Sequence, residues 1–291
     1  MASAQHGQDH YYVPESSPWP IVAMISALLM VFGLALWINA VGLGAWIFFG
    51  GFILLAVMFY GWFSDVVREN LSNVYNAQVS RSFRQGMFWF IASEVFFFLS
   101  FFGALFYLRT IALPWLGGEG YLAMTHHLLY SGFEAVWPTA GPQPTAGEFE
   151  AMGAWGIPAL NTAILLSSGA TLTWAHWALK KNDQKQLIWG LIATVVLGLI
   201  FVGFQAYEYI HAYRDLNLTL EQGIYGSTFF MLTGFHGFHV IVGAIMLLAV
   251  LGRAIKGHFS PHNHFAFEAA AWYWHFVDVV WLALFVFVYW L

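Results

Sequence analysis

The stretch FEAAAWYWHFVDVVWLALFVFVYWL, residues 267–291, decides what kind of protein this is. As an α-helix, about 25 residues cross a hydrocarbon core of about 30 Å with some tilt. Its second half is wholly apolar and aromatic. In its first half Glu268, His275 and Asp278 sit among the tryptophans. At about 100° per residue, Glu268, Ala271, Trp272, His275, Asp278 and Val279 fall on one face. Ionisable groups are expensive in lipid, so this face is expected to meet other helices or a wet cavity.

The remainder of the 291 residues agrees, being 60% hydrophobic and only 9% charged, against about 25% charged in a soluble domain. Several apolar runs exceed about 18 residues, which is the pattern of an integral membrane protein. The absence of cysteine excludes a disulfide framework and a thiolate metal site. A net charge of -5 with no basic patch argues against nucleic acid as a partner. The N-terminus, MASAQHGQDHYYVPESSPWP, has no Lys or Arg before the first apolar run, unlike a cleaved secretory signal. It is expected to be a polar arm that leads into the first helix through Pro18, Trp19 and Pro20.

The apolar pattern predicts an all-α polytopic fold with seven transmembrane helices: 21–38, 45–63, 83–108, 154–179, 187–209, 225–251 and the C-terminal stretch. The expected organisation is an arm at 1–20, a helix pair within 21–63, a polar loop at 64–82 and a five-helix part at 83–291. The longest break, about 110–153, is rich in Gly and Pro, and its apolar patch at 121–130 is too short to span. Lys and Arg set the orientation. Eight of the ten lie on the side of the N-terminus: Arg68, Arg81, Arg84, Lys180, Lys181, Lys185, Arg253 and Lys256. Only Arg109 and Arg214 lie opposite. The N-terminus is therefore expected in the cytoplasm, or the matrix of a mitochondrion, and the C-terminus outside.

Twelve histidines raise a metal hypothesis. His236 and His239 are i, i+3 and share a helix face. His258, His262 and His264 precede the last helix, close in sequence to Glu268. No paired HxxxH and HxxHH boxes are present, and the alternative is hydrogen bonding between helices. Glu94, in FIASEVFFFLSFF, has no Lys or Arg within a turn or two. A lone carboxylate at that depth is expected to be neutral unless it meets a partner or water. Its two readings are an interhelical hydrogen bond and a proton-exchanging group. Glu208 and His211 are expected to touch water at a helix end. Asn161, Thr162, Ser167, Ser168 and Thr171 suit interhelical hydrogen bonds beside small residues. Arg68, Glu69 and Arg253 lie at helix ends, where arginine can hold a lipid phosphate or simply follow the positive-inside bias.

The chain resembles subunit III of the haem-copper cytochrome c oxidases. The segments that carry the resemblance are SPWP (17–20), DVVRE (65–69), SEVFFF (93–98), LNTAILLSSG (160–169), TWAH (173–176), YGSTFF (225–230), TGFHGFHVIVG (233–243) and FEAAAWYWHFVDVVWL (267–282). They run in family order over nearly the whole chain. The resemblance implies seven helices, with helices 1–2 split from 3–7 by a V-shaped cleft that holds phospholipid. It implies no catalytic residue, metal or redox centre in this chain; haems and copper belong to partner subunits. The partners implied are the catalytic subunit I, subunit II, phospholipids and cytochrome c as electron donor. The implied role is to stabilise subunit I and support proton uptake in a proton-pumping oxidase that reduces oxygen to water. Glu94 matches the buried carboxylate of the family, and Arg68, Glu69 and Arg253 keep their types for lipid contact. His236, His239, Glu268, His275 and Asp278 then form a polar network between helices. The loop at 110–152 is longer than in mitochondrial members, which suggests a bacterial inner membrane. Around the loop after the second helix, Phe63 and Asn76 stand where mitochondrial members tend to have Trp and His. The other readings are subunit III of a quinol oxidase and, more remotely, a stand-alone membrane metalloenzyme.

Overall fold

The computed structural model describes residues 11–14, 16–142 and 147–291. Residues 1–10 and 15 of the expected arm, and 143–146 of the long break, lie outside the described residues. The regular structure described is helical throughout. Its order is α1 (Trp19–Ile38), α2 (Gly44–Leu71) and α3 (Ala77–Tyr107), the last continued by a π-helical turn (Leu108–Ala112) into α4 (Leu113–Leu116). A 3-10 turn (Gly120–Leu122) and α5 (Ala123–Leu129) follow. Then come α6 (Ile157–Lys180), α7 (Gln184–Arg214), α8 (Gly223–Ile255) and α9 (Phe265–Leu284), which ends in a π-helical turn (Phe285–Trp290). Among the described residues, six helical runs are long and apolar enough to cross a membrane, and the chain is an integral membrane protein. Among the described helices of at least 20 residues, only α6 falls outside that group. Its 24 residues suffice in length, but Asn161, Thr162, Ser167, Ser168, Thr171, Thr173 and His176 dilute its apolar character.

The helices outrun the apolar segments. The loop expected at 64–82 shrinks to 72–76, because a helix satisfies its own backbone and does not have to stop where its side chains turn polar. Asn73 ends α2 in the left-handed region at φ 55. The Asn76 Oδ1 accepts the Val79 N–H at 2.9 Å and opens α3. The break expected at 110–153 is likewise partly helical, and it is anchored. The carbonyls of Ala140 and Thr139 accept the Ile224 and Tyr225 N–H groups, two of the orphan donors at the start of α8. Gly223 makes this docking possible: it has φ +61, and a Cβ there would lie 1.9 Å from the Ala140 carbonyl oxygen.

The chain divides into two compact units, Met1–Gln85 and Gly86–Leu291. In the first, α1 and α2 pack along small residues. A Cβ on Gly33 would lie 2.3 Å from the Phe48 backbone nitrogen, and one on Gly44 would lie 2.3 Å from that of Trp37. Gly51 approaches Met30, and Ser26 is fully buried. Small side chains let the helix backbones come close, which is how helices associate without a hydrophobic drive.

In the second unit α9 packs against both α6 and α8 and carries the largest buried side chains. Trp274 and Trp281 are fully buried. The Trp274 ring lies over Gly198 of α7 and Gly243 of α8, where a Cβ would sit 2.6 and 2.9 Å from it. The Trp274 Nε1 donates to the Ser168 Oγ at 2.8 Å, and the Trp281 Nε1 donates to the Thr162 Oγ1 at 2.9 Å. The polar residues that weaken α6 as an apolar run therefore hold the tryptophans of α9. Phe97 and Phe98 of α3 reach the same core, edge-on to Phe235 and against Phe276.

Candidate functional site

Glu94 of α3 meets His239 of α8. The carboxylate Oε2 and the imidazole Nε2 are 2.9 Å apart. The other ring nitrogen, Nδ1, faces the Phe235 carbonyl at 2.6 Å. A carbonyl only accepts, so Nδ1 carries a hydrogen. The Nε2···Oε2 contact then holds one shared proton, either on a neutral carboxyl or on an imidazolium. The rings of Phe97, Phe98, Tyr273 and Phe276 surround His239. The Glu94 side chain keeps 22% of its surface and His239 keeps 8%. The carboxylate that the sequence leaves alone thus has a partner 145 residues away.

His236 takes a different direction from His239. It is fully buried, with Nε2 donating to the Val277 carbonyl at 3.2 Å and its ring against Trp281. The two share a helix face in sequence but serve different neighbours, His236 toward α9 and His239 toward α3. On α9, His275 Nδ1 lies 3.1 Å from the Asp278 Oδ2, and His264 Nε2 lies 3.2 Å from the Glu268 Oε1. Gly169 of α6 makes room for Asp278, whose Oδ2 would be 2.5 Å from a Cβ there. The polar face expected on α9 is buried only along part of its width. Ala271 and Asp278 are covered, whereas Trp272 and Val279 point outward.

Glu208 departs from its expected wet position. It is 1% exposed and accepts hydrogen bonds from the Tyr289 hydroxyl and the Gln205 amide. Its C-terminal partner is 81 residues away, and nothing local signals it. Arg109, in the π-helical turn that continues α3, donates to the Leu291 carbonyl at 2.7 Å while it stacks over Trp137.

In the first unit Arg68 pairs with Asp65, and its side chain is 77% exposed. Asp65 also accepts from the Trp19 Nε1 at 2.7 Å. Glu69 is held by two tyrosines instead: Tyr75 donates at 2.6 Å and Tyr12 at 3.2 Å. Burial and this carboxylate push the Tyr75 phenol above its ordinary range. In the second unit Arg253 stacks over Phe259 at 4.7 Å. Burial, then the charges of Arg253 and Lys256, hold the His258 imidazole below its ordinary value. His262 remains in the connection after α8.

The family model for cytochrome c oxidase subunit III matches residues 9–291. Curated proteins named cytochrome c oxidase subunit 3 are similar over 286 residues, which is 98% of this chain and 98% of each relative. They include those of Cyprinus carpio at 43% identity and of Pongo pygmaeus and Squalus acanthias at 42%.

Proposed function

The chain belongs to the cytochrome c oxidase subunit III family, and from that premise we propose that Glu94 and His239 form its proton-holding pair. The chain is subunit III of a cytochrome c oxidase, a terminal respiratory oxidase, and within that complex it is a non-catalytic core subunit. The pair is a buffer rather than a reaction centre: it can take or give one proton with little movement of heavy atoms. The observation that carries this is the Nε2···Oε2 contact beside a ring nitrogen already committed to a carbonyl. Subunits I and II are the partners, with cytochrome c as donor to the complex and haems and copper in those partners. The test is Glu94→Gln. The amide keeps the hydrogen bond and removes the exchangeable proton. Assembly and initial oxygen consumption should stay near normal, while pumping stoichiometry or sustained turnover falls modestly. Complete loss of electron transfer in an assembled variant would overturn the non-catalytic reading.

Seven crossings, with α6 among them, a cytoplasmic N-terminus and a bacterial inner membrane complete the proposal. The eight-to-two split of Lys and Arg supports the crossings and the orientation, and the length of the 110–152 loop supports the bacterial membrane. Reporters placed at 72–76 and at 141–147 should report opposite sides of the membrane. The same side for both would sink the seven-crossing reading.

Phospholipid is the further ligand proposed, including the cleft implied by the resemblance. Its supports are the exposed Arg68 guanidinium and the stacked Arg253. Glu69 belongs to the same proposed lipid contact, its carboxylate accepting from Tyr75 and Tyr12 beside Arg68. The double variant Arg68→Ala, Arg253→Ala should assemble, keep less phospholipid through purification and lose activity sooner. An unchanged lipid inventory by mass spectrometry rejects the role.

A further inference from the structure

We propose that His176, His264 and Glu268 form a binding site for a divalent metal ion of the zinc type, where the C-terminal end of α6 meets the N-terminal end of α9. One ligand atom from each residue lies within 4.8 Å of the other two. This group is separate from the Glu94–His239 pair and does not depend on the role given to that pair.

Three observations point to a cation. First, the His264 Nδ1 faces the Ser260 carbonyl at 3.0 Å, so the hydrogen is on Nδ1 and Nε2 offers a lone pair. A backbone carbonyl on the second ring nitrogen is the arrangement that orients metal-ligating histidines. Second, that lone pair faces the Glu268 Oε1 at 3.2 Å, and no hydrogen bond forms through Nε2. Two acceptors turned toward each other call for a positive charge between them. Third, the His176 Nε2 is buried and has no hydrogen-bond partner. Its ring meets that of His264 at 5.7 Å and packs on Phe267, an apolar wall beside the donors.

The donor set selects the ion. Two imidazoles and a carboxylate suit zinc and leave a fourth position open, whereas calcium and magnesium prefer oxygen throughout. Tetrahedral donors about 2.0–2.1 Å from zinc sit roughly 3.4 Å apart, so small side-chain rotations close the site. Lys180 and His275 are the neighbouring groups that oppose a cation, and the Glu268 carboxylate offsets them. A bound ion would tie the end of α6 to the connection between α8 and α9. The sequence conceals the site, because His176 is far from the other two ligands in the chain.

The test uses the purified oxidase, stripped with a chelator, reloaded with zinc and dialysed. Native complex should retain one zinc equivalent more than complexes carrying His176→Ala, His264→Ala or Glu268→Gln, with zinc affinity at least tenfold weaker in each variant. Haem content confirms assembly. An identical zinc count in native and variant complexes overturns the proposal and leaves a proton as the shared cation. If the variants do not assemble, X-ray absorption at the zinc edge of the isolated full-length chain decides. Two imidazole nitrogens at about 2.0–2.1 Å support the site, and an all-oxygen shell overturns it. The chain has no cysteine, so it cannot contribute thiolate scattering.

Discussion

Gly33→Leu is expected to separate α1 from α2 and to remove the first helix pair as a packed unit. The reason is where the clash falls. A Cβ at Gly33 would already be 2.3 Å from the Phe48 nitrogen and 2.8 Å from its Cα. Both atoms are backbone and cannot turn aside as a flexible side chain does. Leucine adds three further carbons in the same direction. Ordinary overpacking costs about 1–3 kcal/mol, and a clash with backbone lies at or above the top of that range. Gly44 repeats the geometry from the other helix, against the Trp37 nitrogen. Gly50 is the control, since a Cβ there meets nothing within 4 Å. In detergent, Gly33→Leu should make the α1–α2 connection readily cleaved by protease, and Gly50→Leu should leave it protected. Equal protection in the two variants would show that the glycines do not set the approach of the helices.

Trp274→Ala should be the most damaging single truncation in the second unit. The side chain is fully buried, fits against two glycines on two helices and donates a hydrogen bond to a third. Removing so large a buried ring costs roughly 3–5 kcal/mol in soluble proteins. Within a membrane the loss is of packing contacts more than of water exclusion, because lipid tails are as apolar as the core. The Ser168 hydroxyl would also lose the Nε1–H it accepts. Trp274→Phe keeps part of the volume without the donor and should fall between alanine and the native protein. Trp177→Ala serves as control, since Trp177 is 62% exposed. Thermal denaturation of the purified complex should rank the variants Ala, then Phe, then the Trp177 control in rising stability. Trp274→Ala indistinguishable from that control would refute the central position given to α9.

The sequence by itself determined that the protein is helical and belongs in a membrane, and it placed the cores of the long helices within a few residues. Both follow from local physics. A run of apolar residues has no other stable place, and within lipid a helix satisfies its own backbone. The family was legible too, because its motifs are contiguous strings such as FEAAAWYWHFVDVVWL. The helix ends were less legible, since polar residues at 64–71 continue a helix once its backbone bonds are running. What only the tertiary structure decided is which polar groups meet. Glu94 finds His239, Glu208 finds Tyr289, Trp274 finds Ser168 and His176 finds His264 across separations of 81 residues or more. Periodicity says which side of a helix a residue occupies, but not which helix lies opposite. That choice rests on glycines such as Gly198 and Gly243, whose missing side chains admit one particular ring. Their meaning appears only when the helices are side by side.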